Sequence, residues 1–558
     1  MDLPADVPSQ NLLTRLTPDA AARFYAAGFW SNQTIYDLAS DHARSKPLKV
    51  AISDSFCALT YRELIQLADQ IATDLARKGL RAGDRVAIWV SSRVELAPFL
   101  LACSRNAYVC CPSLHKSHTV DEAAELLQRM TARAFVGEEG FGADGEKQNA
   151  FDKVRSFGHV LGLYQLPRPA ARTSALIEQS LLESWPNESK AAARADDIIY
   201  LAFTSGTTGE PKGVMHSNNT LLANARALRT DWKLDESSIF YTLSPLSHNL
   251  GFGALVLTFL VGGSIVLHDL PRGASLLNRL KETGATFVFG VPTHAMDLLS
   301  EIEESGGVKL PALRGFRISG AAVAPIIVEK LLSYGVLPQS GYGMTEAGSH
   351  HYTLPDDDHD VVVGTSGRAC PGYEIEIFSI DDPDEKLPVG SIGQVGGRGA
   401  TLMLGYFNDQ AATESSFNKS GWFMTGDLGK VDERGYLEVT GRIKDIIIRG
   451  GHNIHPAKIE ILAMRHPQVD RAAVVAVKDA RLGEKVCIVA TARNRAVLNP
   501  QKLLSHLYSS GLSKFDMPEY FIQTDHIPLS ASGKVLKRSI VELIAEGLLK
   551  PQPVRWPE

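Results

Sequence analysis

Cysteine is scarce and scattered: the six in 558 residues are Cys57, Cys103, Cys110, Cys111, Cys370 and Cys487. No two share C-x-x-C spacing, which argues against a zinc ribbon or a dithiol redox motif, and six thiols in so long a chain make no disulfide framework. They read as reduced, buried thiols. A membrane-spanning run is also lacking. Tyr241 to Leu267 has no Asp, Glu, Lys or Arg, yet it contains Pro245, His248, Asn249 and Gly262-Gly263. Its most apolar core, Ala254 to Val261, falls far short of the ~20 residues a spanning helix needs. It reads as a buried helix followed by a buried strand. Excess positive charge is missing too: 57 Lys plus Arg face 63 Asp plus Glu, for a net charge of −6. There is therefore no global basic footprint for nucleic acid. The first residues (MDLPADVPSQNLLTRL) lack the basic region and apolar run of a signal peptide, and the last (PVRWPE) carry no lipidation or peroxisomal address. The expectation is a cytoplasmic chain with no membrane span and no nucleic-acid partner, monomeric or homodimeric.

What is present is ordinary globular composition, 44% apolar and 22% charged, which excludes a disordered chain, a collagen-like fibre and a coiled coil. The length implies two or more domains. Thr60 and Glu63 have capping-box spacing, Leu64, Leu67, Ile71 and Leu75 share one helical face, and Gly79 follows as a stop. RVAIWV (Arg85 to Val90) reads as a buried strand, and a helix follows through Glu95 to Cys103. ATFVFG (Ala285 to Gly290) and LRGFRISG (Leu313 to Gly320) are short strands ending in glycine, each leading into a helix, the second near Pro325. This alternation predicts an α/β fold with parallel and mixed sheets, whose carboxyl strand ends are candidate site walls. After about Gly364, YEIEIFSI (Tyr373 to Ile380) and dense glycines from Gly390 to Gly405 predict a small antiparallel barrel or sheet. A final α+β segment, with the apolar strand AAVVAV (Ala472 to Val477), is large enough to fold alone.

The sharpest chemical signal is YLAFTSGTTGEPKGV, Tyr200 to Val214. An apolar strand runs into Thr204, Ser205, Gly206, Thr207, Thr208 and Gly209, followed by Lys212. Hydroxyls interleaved with glycines supply O–H and backbone N–H donors, the chemistry that wraps polyphosphate oxygens. The spacing is not that of a Walker A loop.

Here the sequence resembles the adenylate-forming superfamily: acyl-CoA synthetases, luciferases and peptide-synthetase adenylation domains. The likeness runs from about Thr34 to Leu548, through several motifs in the family's order. It implies a large N-terminal adenylation domain (1–443) and a smaller mobile C-terminal domain (444–558). In GYGMTE the resemblance gives Gly341, Tyr342, Gly343 and Thr345 to the nucleotide, Tyr342 stacking on adenine. It gives Glu346, a hard oxygen ligand, to Mg²⁺ together with Thr204. In RISGAAV it gives Gly320, Ala321 and Ala322 to the purine, with Ala322 where the family often has proline. It assigns Asp427 to the ribose hydroxyls, Arg442 to ribose or phosphate, and Lys444 to an interdomain hinge. Lys534, in S-G-K where T-G-K is commoner, resembles the lysine that contacts the substrate carboxylate and the α-phosphate.

LSPLSHNLGFG (Leu243 to Gly253) resembles the family's acid-site segment. It nominates His248 as a catalytic-site group and His248, Asn249, Phe252, Gly290 and Gly320 as acid-pocket residues, with Phe289 and Val291 as further walls. RGGHNIHPAKIE places Gly450 and Gly451 on a pantetheine channel; His452 and Lys458 stand where glutamate is common. FYAAGFW (Phe24 to Trp30) is similar to segments of alicyclic and aryl-acid ligases. The implied activity is an ATP-dependent acid–CoA ligase using ATP, Mg²⁺ and CoA on a medium-sized alicyclic, aryl or medium-chain acid. The alternative is an adenylating ligase that loads a separate carrier protein.

Overall fold

The computed structural model describes residues 14–169, 193–204, 211–271, 273–320, 323–493, 496–530 and 534–556. Of the nominated residues, Ser205, Gly206, Thr207, Thr208, Gly209, Ala321 and Ala322 lie outside the described residues. The Thr60–Glu63 capping box forms, Glu63 Oε2 accepting from Thr60 N at 2.8 Å, and starts the helix Tyr61–Arg77. Leu64, Ile71 and Leu75 on its apolar face are fully buried, with Ala68 and Ala72 beside them and Leu67 only partly covered. The strand Arg85–Trp89 and the helix Leu96–Asn106 follow as expected.

Two large mixed sheets organise the N-terminal part. The first has seven strands, ordered Gly405–Tyr406, Lys212–Ser217, Ile198–Thr204, Val109–Cys111, Arg85–Trp89, Ala134–Glu138 and Gly162–Leu166. It is parallel from Ile198–Thr204 onward and antiparallel where the chain returns through Lys212–Ser217. The second has nine strands. Its centre, Pro338–Met344, Gly315–Ile318, Phe287–Gly290, Ile239–Thr242 and Ser264–Leu267, is parallel. The helix Asn249–Val261 is apolar all round, and its side chains share one core cluster with residues of both sheets, so it is enclosed as a helix of that pattern must be. The strand Ser264–Leu267 follows it directly. No described helix is long and apolar enough to cross a membrane.

The segment after Gly364 gives a four-stranded antiparallel sheet, ordered Tyr373–Phe378, Gly393–Gly399, Phe423–Val431 and Leu437–Arg442. Its outer strands do not pair among the described residues, so of the two forms expected it is the open sheet and not a closed barrel. From Ile447 onward a six-stranded sheet, with Gly483–Ala492 at its centre and Val469–Asp479 paired along it, carries two apolar clusters of its own. All six cysteines are free, five of them buried.

Candidate active site

Lys534 and Gly320, more than two hundred positions apart, meet. Ser530 and Lys534 close a short loop: Ser530 N donates to Lys534 O at 2.7 Å, and Lys534 N donates to Ser530 Oγ at 3.1 Å. The lysine side chain leaves that loop and crosses the carboxyl end of the strand Gly315–Ile318. A Cβ built on Gly320 would stand 2.9 Å from Lys534 Cε and 3.7 Å from Nζ. Gly320 also has φ +97°, a left-handed conformation that side chains resist. The residue keeps solvent access, yet protein surrounds its ammonium as in a deep cleft. Desolvation first, then Arg442, lower the lysine pKa, while Asp427 and Glu346 pull it back up.

Those carboxylates belong to two further groups. Tyr342, on the strand Pro338–Met344, donates its hydroxyl to Asp427 Oδ2 at 2.8 Å, and Arg442 Nε pairs with Asp427 Oδ1 at 2.9 Å. Asp427 and Arg442 are opposite partners on the antiparallel strands Phe423–Val431 and Leu437–Arg442, which is why they meet. Burial raises the Asp427 pKa, against the lowering effect of Arg442 and the Tyr342 hydroxyl. The Tyr342 ring meets His350 edge-on, with centroids 5.1 Å apart.

The second group surrounds Glu346. Thr204 and Lys212 are opposite partners on the antiparallel strands Ile198–Thr204 and Lys212–Ser217, and the Lys212 ammonium lies 4.9 Å from the Tyr406 ring centroid. Tyr406 donates its hydroxyl to Glu346 Oε1 at 3.0 Å. Desolvation raises the Glu346 pKa and Lys212 opposes it. Thr345 reaches the strand Lys212–Ser217 through its carbonyl, which bonds His216 Nε2 at 2.7 Å. Gly343 is held to glycine by backbone: a Cβ there would lie 2.1 Å from Gly348 O. Gly341 stands on the same strand, where a Cβ would find only ordinary contacts. No cluster of three or more His, Cys, Asp or Glu suited to a metal occurs among the described residues.

His248 caps the helix Asn249–Val261 at its start without a side-chain cap bond. Its ring stacks on His115, with centroids 4.0 Å apart and planes at 8°, and His118 stacks on the far side of His115. Ser247 Oγ bonds His115 Nδ1 at 3.1 Å, and His248 Nε2 is buried without a protein partner. Desolvation is the first cause that lowers the pKa of His248 to about 4 and of His115 to about 2; Lys534 and His118 lower the former further, His248 and His118 the latter. Beside this stack a small, partly enclosed cavity of about 30 Å³ is lined by Asn224, Asn249, Gly253, Phe289, Arg317 and Ser349 among others. Phe252 is not on it: its ring is fully buried against Tyr200, with centroids 4.3 Å apart, so the helix turns Gly253 toward the cavity instead. Gly290 is likewise enclosed by Phe316, His294 and Leu243.

Gly450 and Gly451 form the two-residue turn between the strands Ile447–Arg449 and His452–Ile454, with φ +57° and +87°. The twist of a tight hairpin asks for such values. Only Leu482 approaches them, so the structure does not bring this turn to Lys534. Lys444 is exposed in the short helical turn Ile443–Asp445 and contributes to the field at Asp427. Lys537 pairs with Glu460 at 2.8 Å and approaches Asp445 at 3.9 Å, tying that turn to the C-terminal sheet. Tyr406 and His115 escaped the sequence reading. Tyr406 carried one signal, an aromatic directly after the glycine-dense stretch.

Comparison with known proteins accords with this arrangement. The AMP-binding enzyme family model matches residues 39–407 and the AMP-binding enzyme C-terminal domain matches residues 458–534. The medium-chain fatty-acid–CoA ligase of Escherichia coli K12 is 30% identical over 531 residues, covering 92% of this chain and 91% of that one. A salicylyl-CoA synthase / salicylate adenylyltransferase of a Streptomyces species is 29% identical over 539 residues, covering 94% and 96%. The crystal structure of ATP-bound MatB from Rhodopseudomonas palustris superposes with a TM-score of 0.80 at 28% identity, covering 92% of this chain and 100% of that one. Both family models and a relative at 30% identity agree: the chain belongs to the AMP-binding enzyme family, as an AMP-forming acid–thiol ligase of the acyl-CoA synthetase type.

Proposed function

We propose that the enzyme activates a carboxylic acid in two half-reactions around the Lys534–Gly320 contact, first as acyl-AMP with release of pyrophosphate, then as an acyl-CoA with release of AMP. The observation that carries this reading is the meeting of a C-terminal lysine with the Gly320 turn, within electrostatic reach of Asp427 and Glu346. Two anions, the acid and the α-phosphate, must approach and then share charge through an in-line displacement. A lysine between them offsets that repulsion by roughly 4 kcal/mol at ~4 Å and an effective dielectric of ~20.

Around that centre the residues divide the work. Asp427, desolvated and held by Arg442 and Tyr342, is fit to accept two ribose hydroxyls at once. Tyr342 offers its ring to the base, with Gly320, Gly341 and Gly343 giving a small-residue floor. Thr204 and Lys212, with Ser205 to Gly209 between them, receive the phosphates, and Lys212 is steadied over Tyr406. The Glu346 carboxylate and the Thr204 hydroxyl fit a magnesium ion that arrives with the triphosphate; when bound it would offset phosphate charge. His248, neutral and with Nε2 uncommitted, borders the acid.

For the second half-reaction the C-terminal unit, from about 444, turns at Lys444. This withdraws Lys534 and brings the Gly450–Gly451 hairpin to the cleft as the wall of the pantetheine channel. The acid is medium-sized, alicyclic, aryl or medium-chain, and a separate carrier protein is the alternative acceptor. A panel of carboxylic acids scored for AMP release with CoA, and for the thioester by mass spectrometry, tests the reading. Acyl-CoA formation supports it. Acylation of a carrier protein but not of CoA favours the alternative, and absence of pyrophosphate exchange with every acid refutes both.

A further inference from the structure

Three arginines are buried among the described residues: Arg93, Arg105 and Arg317. Arg93 is paired with Glu95 and Glu138, at 2.6 and 3.2 Å, and Arg105 with Asp69 at 2.9 Å. Arg317, 1% exposed, has no carboxylate partner among the described residues. Its Nη1 donates to Gln339 Oε1 at 2.5 Å and its Nη2 to Ser349 O at 3.2 Å, and its guanidinium lies 5.0 Å from the Tyr352 ring centroid. The nearby acid, Asp231, is taken by the Tyr352 hydroxyl at 2.8 Å. The buried His350 and His351 are held neutral by desolvation and supply no anion. Gln339, whose oxygen is committed to Arg317, has a buried Nε2 with no acceptor. A guanidinium offers five N–H donors, so Arg317 keeps unused ones beyond these two bonds.

Of the two, Arg317 is among the residues that line the cavity. Arg317 lies opposite Phe289 on the neighbouring parallel strand, and both line the cavity with Asn249. It stands three residues before Gly320, roughly 10 Å along the strand at ~3.3 Å per residue. The ammonium of Lys534 therefore sits near one end of this strand segment and an uncompensated guanidinium near the other. An unpaired buried charge is costly, and a carboxylate ligand with two oxygens would relieve it through a bidentate pair.

We propose that Arg317 receives a second anionic oxygen group of the substrate, so that the acid activated here is a dicarboxylic acid or an equivalent two-headed acid. One head is adenylated beside Lys534 and the other held by Arg317. This rests on the adenylating reading given above and names the substrate class of that same site.

The test is pyrophosphate exchange with chain-matched pairs, hexanoate against adipate and benzoate against isophthalate. It is run on the wild type, Arg317→Met and Arg317→Lys, with thermal melts to confirm folding. The wild type is expected to favour the diacid of at least one pair by tenfold or more in kcat/KM. Arg317→Met should abolish that preference while sparing the monoacid, and Arg317→Lys should keep part of it. If Arg317→Met does not fold, the wild-type pairs and the lysine variant still decide. Preference for the monoacid in both pairs, or equal loss on mono- and diacid in Arg317→Met, overturns the proposal and leaves the adenylating reading standing. Exchange with none of the four acids, extended to the full acid panel, overturns that reading and this proposal with it.

Discussion

Lys534 lies across Gly320, so close that a single methyl group on the glycine would meet the lysine Cε at 2.9 Å. The contact joins the last motif of the chain to the strand end that forms the floor of the cleft. It also makes Gly320 a sensitive position. Gly320→Ala forces a side chain into φ +97° and displaces the ammonium. The flexible lysine can yield, so the stability loss should stay near 1–2 kcal/mol, while pyrophosphate exchange should fall by at least tenfold. Unchanged exchange in a folded variant would show that the lysine's position over Gly320 is immaterial.

Asp427 is bonded on both oxygens, by Tyr342 and Arg442. Asp427→Asn keeps the shape and removes the charge. It should raise KM for ATP by about tenfold or more, in line with the roughly 1.5–3 kcal/mol of a hydrogen bond to a charged group. Tyr342→Phe, which leaves the carboxylate paired with Arg442, should cost less. Titration of ATP binding by calorimetry orders the two, and the reverse order would contradict the role given to Asp427.

The histidine stack carries a pH dependence. His248 and His115, held at about 4 and about 2, remain neutral in the fold at pH values where the unfolded chain, near 6.5, binds protons. Their contribution to stability is therefore complete above about pH 6.5 and is lost progressively as the pH falls below it. Melting temperature should drop from pH 7.5 to 5.5. His115→Phe, which keeps a ring against His248 without a proton site, should flatten that drop. An equal slope in the variant would remove His115 from the explanation.

Lys444→Pro fixes φ in the Ile443–Asp445 turn and restricts the residue before it. With Lys534 already at the cleft, adenylation should persist within a few fold while thioester formation falls by two orders of magnitude or more. Separate assays of pyrophosphate exchange and of CoA transfer from a supplied acyl-adenylate check this; normal CoA transfer would refute a hinge at 444.

Much of this was legible in the sequence because it is local. Capping boxes, strand ends and the glycine-hydroxyl turn are written within a few residues of each other, and the Thr60 box and the helix at Pro325 form where expected. What escaped depends on pairing across distance. Tyr406 reaches Glu346 because Gly405–Tyr406 pairs with Lys212–Ser217, a ladder that no local pattern encodes. His115 matters through its stack on His248, 133 positions away. Phe252 was nominated for the pocket from its place in the segment, but helical rotation turns it to the core and leaves Gly253 outside. Arg317 sat in a recognised motif with no role, because only the fold reveals that a buried guanidinium there lacks a carboxylate.

The most direct test of the central claim is Lys534→Ala assayed in both half-reactions. Removing the ammonium should lower acid-dependent pyrophosphate exchange by two to three orders of magnitude, while transfer from a supplied acyl-adenylate to CoA stays within a few fold of wild type. Equal loss in the two half-reactions, or undiminished exchange, would contradict an account in which Lys534 serves the adenylation step from its place over Gly320.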